Sequence, residues 1–239
     1  MKRAPVDFRS AEEMDFADLA TTEADGLVTT GGPLTPDRLL TAYSLGIFAN
    51  TERAHTLWLS PDPRFVIEPA RRHVGHSLER VVRAGRYRVT SDTAFAQVIR
   101  GCAQRARPGP KRAWLTEEMI AAFVRLHDSG LAHSVEAWQG AELVGGVYGL
   151  SLGRVFFGES AYADRPDASK VALVHLLEAL EIWDFDLFDC QVTSPLTARF
   201  GAGPIPRAAF LERLTKGLSE GTLVGPWTLP DPRHLRPRD

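Results

Sequence analysis

The stretch AHSVEAWQGAELVGGVYGLSLGRVFFGES, residues 132–160, decides how this chain folds. It holds three runs rich in Val, Phe, Tyr and small apolar residues, broken at Gln139-Gly140 and Leu152-Gly153. Glycine supplies the positive φ of a tight turn, so the pattern predicts three strands joined by hairpins. The GGVYG glycines lead into strand, not into a helix opening with Lys-Ser or Lys-Thr, which argues against a phosphate loop. In a hairpin they permit close backbone approach instead. Next, DASKVALVHLLEALEIW (167–183) sets Val171, Val174, Leu177 and Leu180 at the spacing of a buried helical stripe. FDLFDCQV (185–192) reads as a further strand and IPRAAFLERLTKGL (205–218) as a helix starting at Pro206. Strands, helix, strand and helix in that order predict an α/β (α+β) fold, a mixed sheet with helices packed on it.

Upstream, LTPDRLLTAYSLGIF (34–48) predicts a helix with Thr35 as N-cap, Pro36 at N1, Leu39, Leu40 and Tyr43 on one face, and Gly46 at its end. Prolines 61, 63 and 69 bound a short strand, Phe65–Ile67, and this turn-rich junction marks a boundary between a small domain, 1–63, and a larger one, 64–239. GHSLERVVRAG (75–85) predicts a short basic helix and YRVTSD (87–92) a strand. A helix opened by Asp92 or Thr93 runs to Arg105, a loop carries Pro108, Gly109 and Pro110, and a helix capped by Thr116 ends before Gly130.

Composition is that of an ordinary globular chain: 239 residues, 44% hydrophobic and 24% charged. Two cysteines, Cys102 and Cys190, are no disulfide framework. MKRAPVDFRSAEEMDF lacks the apolar core of a signal peptide, and no apolar run reaches membrane-spanning length. The expectation is a cytoplasmic protein without a membrane partner. The net charge of −2 conceals a band, residues 64–112, with twelve Arg and Lys against three Asp and Glu. Such a band fits a polyanionic partner, or else a solvated arginine-rich surface.

Few side chains suggest chemistry. The histidines are scattered, and His73 and His76, which could share a helix face, are not expected to find the partner carboxylate or thiolate that a metal site needs. No G-x-S-x-G elbow occurs. Asp189 and Gln191, two apart in an apolar strand, are expected to share a face. Glu159, after Phe156, Phe157 and Gly158, reads as a surface or capping carboxylate, or as an anion holding a ligand's ammonium against Phe156. Trp114 reads as a core aromatic or as a platform for a nucleobase.

LLTAYSLGIF, SPDPR, AFAQVIRGCA, AWLT, LHDSGLAHSVEAW, ELVGGVYG, FFGES, DASKVALVHL, FDCQV and GAGPIPR follow one another as in the leucyl/phenylalanyl-tRNA–protein transferases, which the chain resembles over about residues 25–215. The resemblance implies transfer of Leu or Phe from aminoacyl-tRNA to the N-terminal Lys or Arg of acceptor proteins, marking them for degradation, by a monomer without cofactor. It implies a small N-terminal domain followed by one resembling the acyl-CoA N-acyltransferases. It places Asp189 and Gln191 at the reaction centre. For aminolysis of an activated ester, the expectation is that Gln191 bonds the incoming amine and Asp189 fixes Gln191 or receives a proton through it. Trp114, Val147, Phe156, Glu159, Leu176 and Ser194 fall around the aminoacyl-adenosine pocket. The basic band, with Arg71, Arg72, Arg80, Arg83, Arg86 and Arg88, would hold the acceptor stem.

The chain departs from the family pattern at Ala49-Asn50, where Pro-Trp is usual, at Leu59, at Val147, and through Ser194, Leu196 and Arg199. These keep open a divergent tRNA-binding protein without catalysis. An acyl-CoA-dependent N-acyltransferase is the other alternative, but no Q/R-x-x-G-x-G/A loop precedes a helix.

Overall fold

The computed structural model describes residues 2–8, 13–14, 16, 19, 22, 25–51, 55–104 and 115–230. Their elements, in chain order, are β1 (Arg3–Ala4), β2 (Leu27–Thr30), α1 (Pro36–Ser44), β3 (Phe48–Asn50), β4 (Leu57–Leu59), β5 (Arg64–Ile67), α2 (His76–Arg83), β6 (Arg88–Ser91), α3 (Phe95–Gln104) and α4 (Glu117–Asp128). The series continues with β7 (Ala132–Gln139), β8 (Glu142–Leu152), β9 (Val155–Ala163), α5 (Ala168–Ile182), β10 (Leu187–Gln191), α6 (Pro195–Ala198), β11 (Gly203–Ile205), α7 (Arg207–Ser219) and β12 (Thr222–Leu223).

The expected hairpins form: β7, β8 and β9 are antiparallel neighbours, and Gly140 and Gly153 turn the chain at φ 62° and 58°. Close approach explains the other glycines. A Cβ on Gly145 would lie 2.7 Å from the Ala168 methyl, and one on Gly149 2.1 Å from the Phe157 carbonyl oxygen. After α5 the chain returns as β10, parallel to β9, and β5 and β11 extend the sheet antiparallel. The result is a mixed seven-stranded sheet in the order β11-β5-β10-β9-β8-β7-β6, the α/β class expected.

Both helix caps act as expected: Thr35 accepts the backbone N–H of Arg38, and Thr116 that of Met119. The helix expected to open at Asp92 or Thr93 begins instead at Phe95. Asp92, at φ 55°, spends its carboxylate on the backbone N–H groups of Ser134 and Trp227 and on His133, so it is not available as a cap.

Two apolar layers flank the sheet. One gathers Val135, Val147, Phe156, Phe188 and Cys190 against the inner face of α5. The other gathers Tyr148, Phe157 and Leu187 with residues of α3, α4 and α7 and with Leu39, Tyr43, Phe48 and Trp58, so residues on both sides of Pro63 build it. Among the described residues no helix is long and apolar enough to cross a membrane.

Candidate active site

β9 and β10 pair only at Leu187–Val155, Phe188–Phe156 and Asp189–Phe157. Beyond these, β9 stays with β8 as far as Ala163 while β10 stays with β5, so the parallel strands part at their carboxyl ends. Open sheets commonly leave room for a ligand at such ends. Here a cavity of about 430 Å³ fills the gap. Val147, Leu173, Phe188 and Cys190 line it from one apolar layer, Phe48, Ala49, Leu59 and Met119 from the other, and Glu159, Gln191, Asn50 and Ser194 add polar groups.

Glu159 occupies an irregularity where β9 gains a residue on β8. Its Oε1 accepts the Tyr43 hydroxyl at 2.6 Å and the Gln191 carboxamide N–H at 2.6 Å. Burial pushes its carboxyl up to about 7, opposed by these two hydrogen bonds and by Arg64 and helped by Asp189. Burial, chiefly, and then Glu159 hold the Tyr43 phenol well above its ordinary range, so it remains a donor.

Asp189 is sealed one step behind the cavity. Arg64 donates to its Oδ1 through Nε at 2.8 Å and to its Oδ2 through Nη2 at 2.6 Å. The third donor of that guanidinium reaches the Gly46 carbonyl, and its faces lie against the Phe48 and Phe210 rings. Gln191 adopts φ 63° at a shift in the β10–β5 register. That turn brings the Gln191 backbone N–H onto Asp189 Oδ1 at 2.8 Å and frees the carboxamide for Glu159. Asp189 and Gln191 are thus joined through backbone, not through their side-chain ends.

A family model described as leucyl/phenylalanyl-tRNA protein transferase matches residues 66–215. The chain belongs to the leucyl/phenylalanyl-tRNA–protein transferase family. A relative of that name from Anaeromyxobacter sp. (strain Fw109-5) is 56% identical over 93% of this chain and 95% of its own length. Those from Myxococcus xanthus (strain DK1622) and Oleidesulfovibrio alaskensis are 52% and 46% identical, over 86% and 92% of this chain and 88% and 92% of theirs.

Of the residues that the resemblance to these transferases marks, Val147, Glu159, Gln191 and Ser194 face the cavity. The Ser194 hydroxyl caps α6 by accepting the Thr197 N–H at 3.1 Å. Phe156 and Leu176 lie in the apolar layer beneath α5, Phe156 stacked on the wall residue Phe188. Trp114 lies outside the described residues. Ala49, Asn50, Leu59, Val147, Ser194 and Leu196, where the chain departs from the transferase pattern, all line the cavity.

The basic residues divide. Arg71, Arg80, Arg83, Arg86 and Arg88 are exposed, Arg88 over the Trp138 ring. Arg72 is turned inward onto Glu181 and the Pro69 carbonyl. Sequence reasoning counted Arg64 only as a member of the basic band, whereas it is buried on Asp189, and it missed the Tyr43 hydroxyl. A lone arginine opening the apolar strand RFVI, with a lone aspartate in LFDCQ, was the available signal for the first. Among the described residues no cluster of three or more His, Cys, Asp or Glu could hold a metal ion.

Proposed function

We propose that this chain moves leucine or phenylalanine from aminoacyl-tRNA to the N-terminal Arg or Lys of an acceptor protein. The observation that carries the reading is the cavity where β9 and β10 part, apolar on its walls with Gln191 and Glu159 side by side. Val147, Leu173, Phe188 and Met119 would select a Leu- or Phe-sized side chain by burial, at about 1–3 kcal/mol per methylene-scale mismatch. Phe156 and Leu176 support that wall from behind.

The reaction is aminolysis of an ester already activated, so the task is to bring amine and carbonyl to near-attack distance. Gln191 bonds the incoming amine. Asp189, both of whose oxygens are engaged, anchors the backbone at Gln191 rather than carrying a proton. Arg71, Arg80, Arg83, Arg86 and Arg88 supply phosphate contacts, which give affinity without reading sequence. Arg72 braces the 3₁₀ turn Pro69–Arg71 against α5. The resemblance to the transferases gives Trp114 the role of stacking on the terminal base. We keep residues 1–63 as a small domain that supplies Tyr43, Phe48, Asn50 and Leu59 to the site on 64–239. In this reading the protein works as a cytoplasmic monomer and its products are marked for degradation.

The test combines purified protein, radiolabelled Leu-tRNA or Phe-tRNA, and an acceptor with N-terminal Arg. Label entering the acceptor is expected. Binding of tRNA without transfer would instead favour the non-catalytic reading.

A further inference from the structure

We infer that Glu159 takes the proton from the acceptor's α-ammonium group. This rests on the transferase reading of the site, and it assigns the one proton transfer that reading leaves without a recipient. An acceptor amine with a pKa of about 7.7–8.0 arrives largely protonated near neutral pH and must lose a proton before it can attack.

The other polar groups of the site cannot receive it. Gln191 offers a carboxamide, which is not a useful base. Asp189 is fully buried, with Arg64 on both its oxygens and the Gln191 N–H on one of them. Tyr43 is held as a phenol, and burial likewise holds Cys190 as a thiol. Ser194 is engaged in capping α6. Among the described residues lining the cavity, Glu159 is the only carboxylate, and none is His, Lys or Arg.

Its setting suits the task. Tyr43 from α1 and Gln191 from β10 both donate to Oε1, which fixes the carboxylate plane and leaves Oε2 outside their grip. Among the described residues, the charged groups that act most on it are Arg64 of β5 and Asp189 of β10, and these two form an ion pair with one another. With its carboxyl raised to about 7, Glu159 is matched to an amine near 8, the near-balanced pairing that favours general-base catalysis.

The step balances. Glu159 takes one proton from the ammonium, and the neutral amine attacks the ester carbonyl. A C–N bond forms, and the bond from the carbonyl carbon to the ribose oxygen breaks. The ribose oxygen leaves with the second proton of the attacking nitrogen, and Glu159 returns its own to solvent.

Single-turnover transfer measured from pH 6.5 to 9 tests this in the wild type, Glu159→Gln and Tyr43→Phe, each first shown to bind aminoacyl-tRNA. Glu159→Gln preserves shape and can still accept from Tyr43. Its deficit should be about 100-fold at pH 6.5 and should shrink at least about tenfold by pH 9, where the amine is already neutral. Tyr43→Phe, which removes a hydrogen bond that lowers the Glu159 carboxyl, should move the rise in wild-type rate to higher pH. A Glu159→Gln deficit that is equal at every pH, or absent, overturns the assignment while leaving the transferase reading intact. A wild-type protein that moves no label overturns both.

Discussion

Arg64 holds both carboxylate oxygens of Asp189, and neither side chain meets solvent. The pair links β5 to β10, and through the Gln191 N–H it fixes the residue that borders the cavity. Removing one partner strands the other's charge in the core, at a cost of about 3–5 kcal/mol. Asp189→Ala should therefore lose about that much stability in urea unfolding and also slow transfer by about a hundredfold. Gln191→Ala should slow transfer to a similar degree with a smaller stability change. If Asp189→Ala unfolds at the wild-type urea concentration, the ion pair does not hold the strands.

Glu159 also makes stability depend on pH. Its folded carboxyl is raised from the usual 4.5 to about 7, so between those values the folded state holds a proton that the unfolded chain has lost. The contribution is complete below about 4.5 and is lost as pH rises through about 7, with a slope of at most about 1.4 kcal/mol per pH unit. Glu178, raised in the same way by burial, acts in the same direction, while His175, lowered to about 4, opposes it. The difference between Glu159→Gln and wild type isolates the single group. The glutamine variant should gain relative stability from pH 4.5 to 7 and no more beyond, as read by thermal melts across that range.

The exposed arginines predict a salt effect. If Arg80, Arg83 and Arg86 contact phosphates, tRNA affinity should fall linearly with salt on a log–log plot, and reversing their charge should weaken different tRNAs about equally. Arg72→Ala should act differently, because its guanidinium is tied to Glu181: the expected effect is on melting temperature more than on the salt slope. Filter binding at several salt concentrations separates the two, and a flat salt response would identify the band as plain solvated surface.

Asn50 lines the cavity at the end of β3, where the family usually has tryptophan. A stacking aromatic is worth about 1–3 kcal/mol per base. Asn50→Trp should tighten a small aminoacyl-adenosine analogue more than whole tRNA, whose affinity rests largely on phosphates. Titration of both ligands checks this, and unchanged analogue affinity in a folded variant would mean that the new ring does not reach the ligand.

Local rules read much of this fold. Thr35 and Thr116 cap their helices, and Gly140 and Gly153 turn the hairpins, because each signal lies within a few residues of its effect. The site was legible only in part. That Glu159, Gln191, Val147 and Ser194 meet at one cavity depends on where two strands stop pairing, and no short stretch encodes that. Arg64 lies 125 residues from Asp189, and the positive φ of Gln191 falls on a residue type that rarely adopts it. Asp92 misled as a cap for the same reason: its partners Ser134 and Trp227 are distant in sequence.

The cavity interrupts the seam between the two apolar layers, with Val147 and Leu173 from one and Phe48 and Met119 from the other. Whoever widens it to admit a bulkier side chain must remove atoms that also hold the sheet to its helices. Each deleted core methylene costs about 1 kcal/mol or more of folding free energy. Choice of amino acid and resistance to unfolding are therefore coupled on this scaffold, and a variant with a broader substrate range is expected to melt earlier unless it is shored up elsewhere.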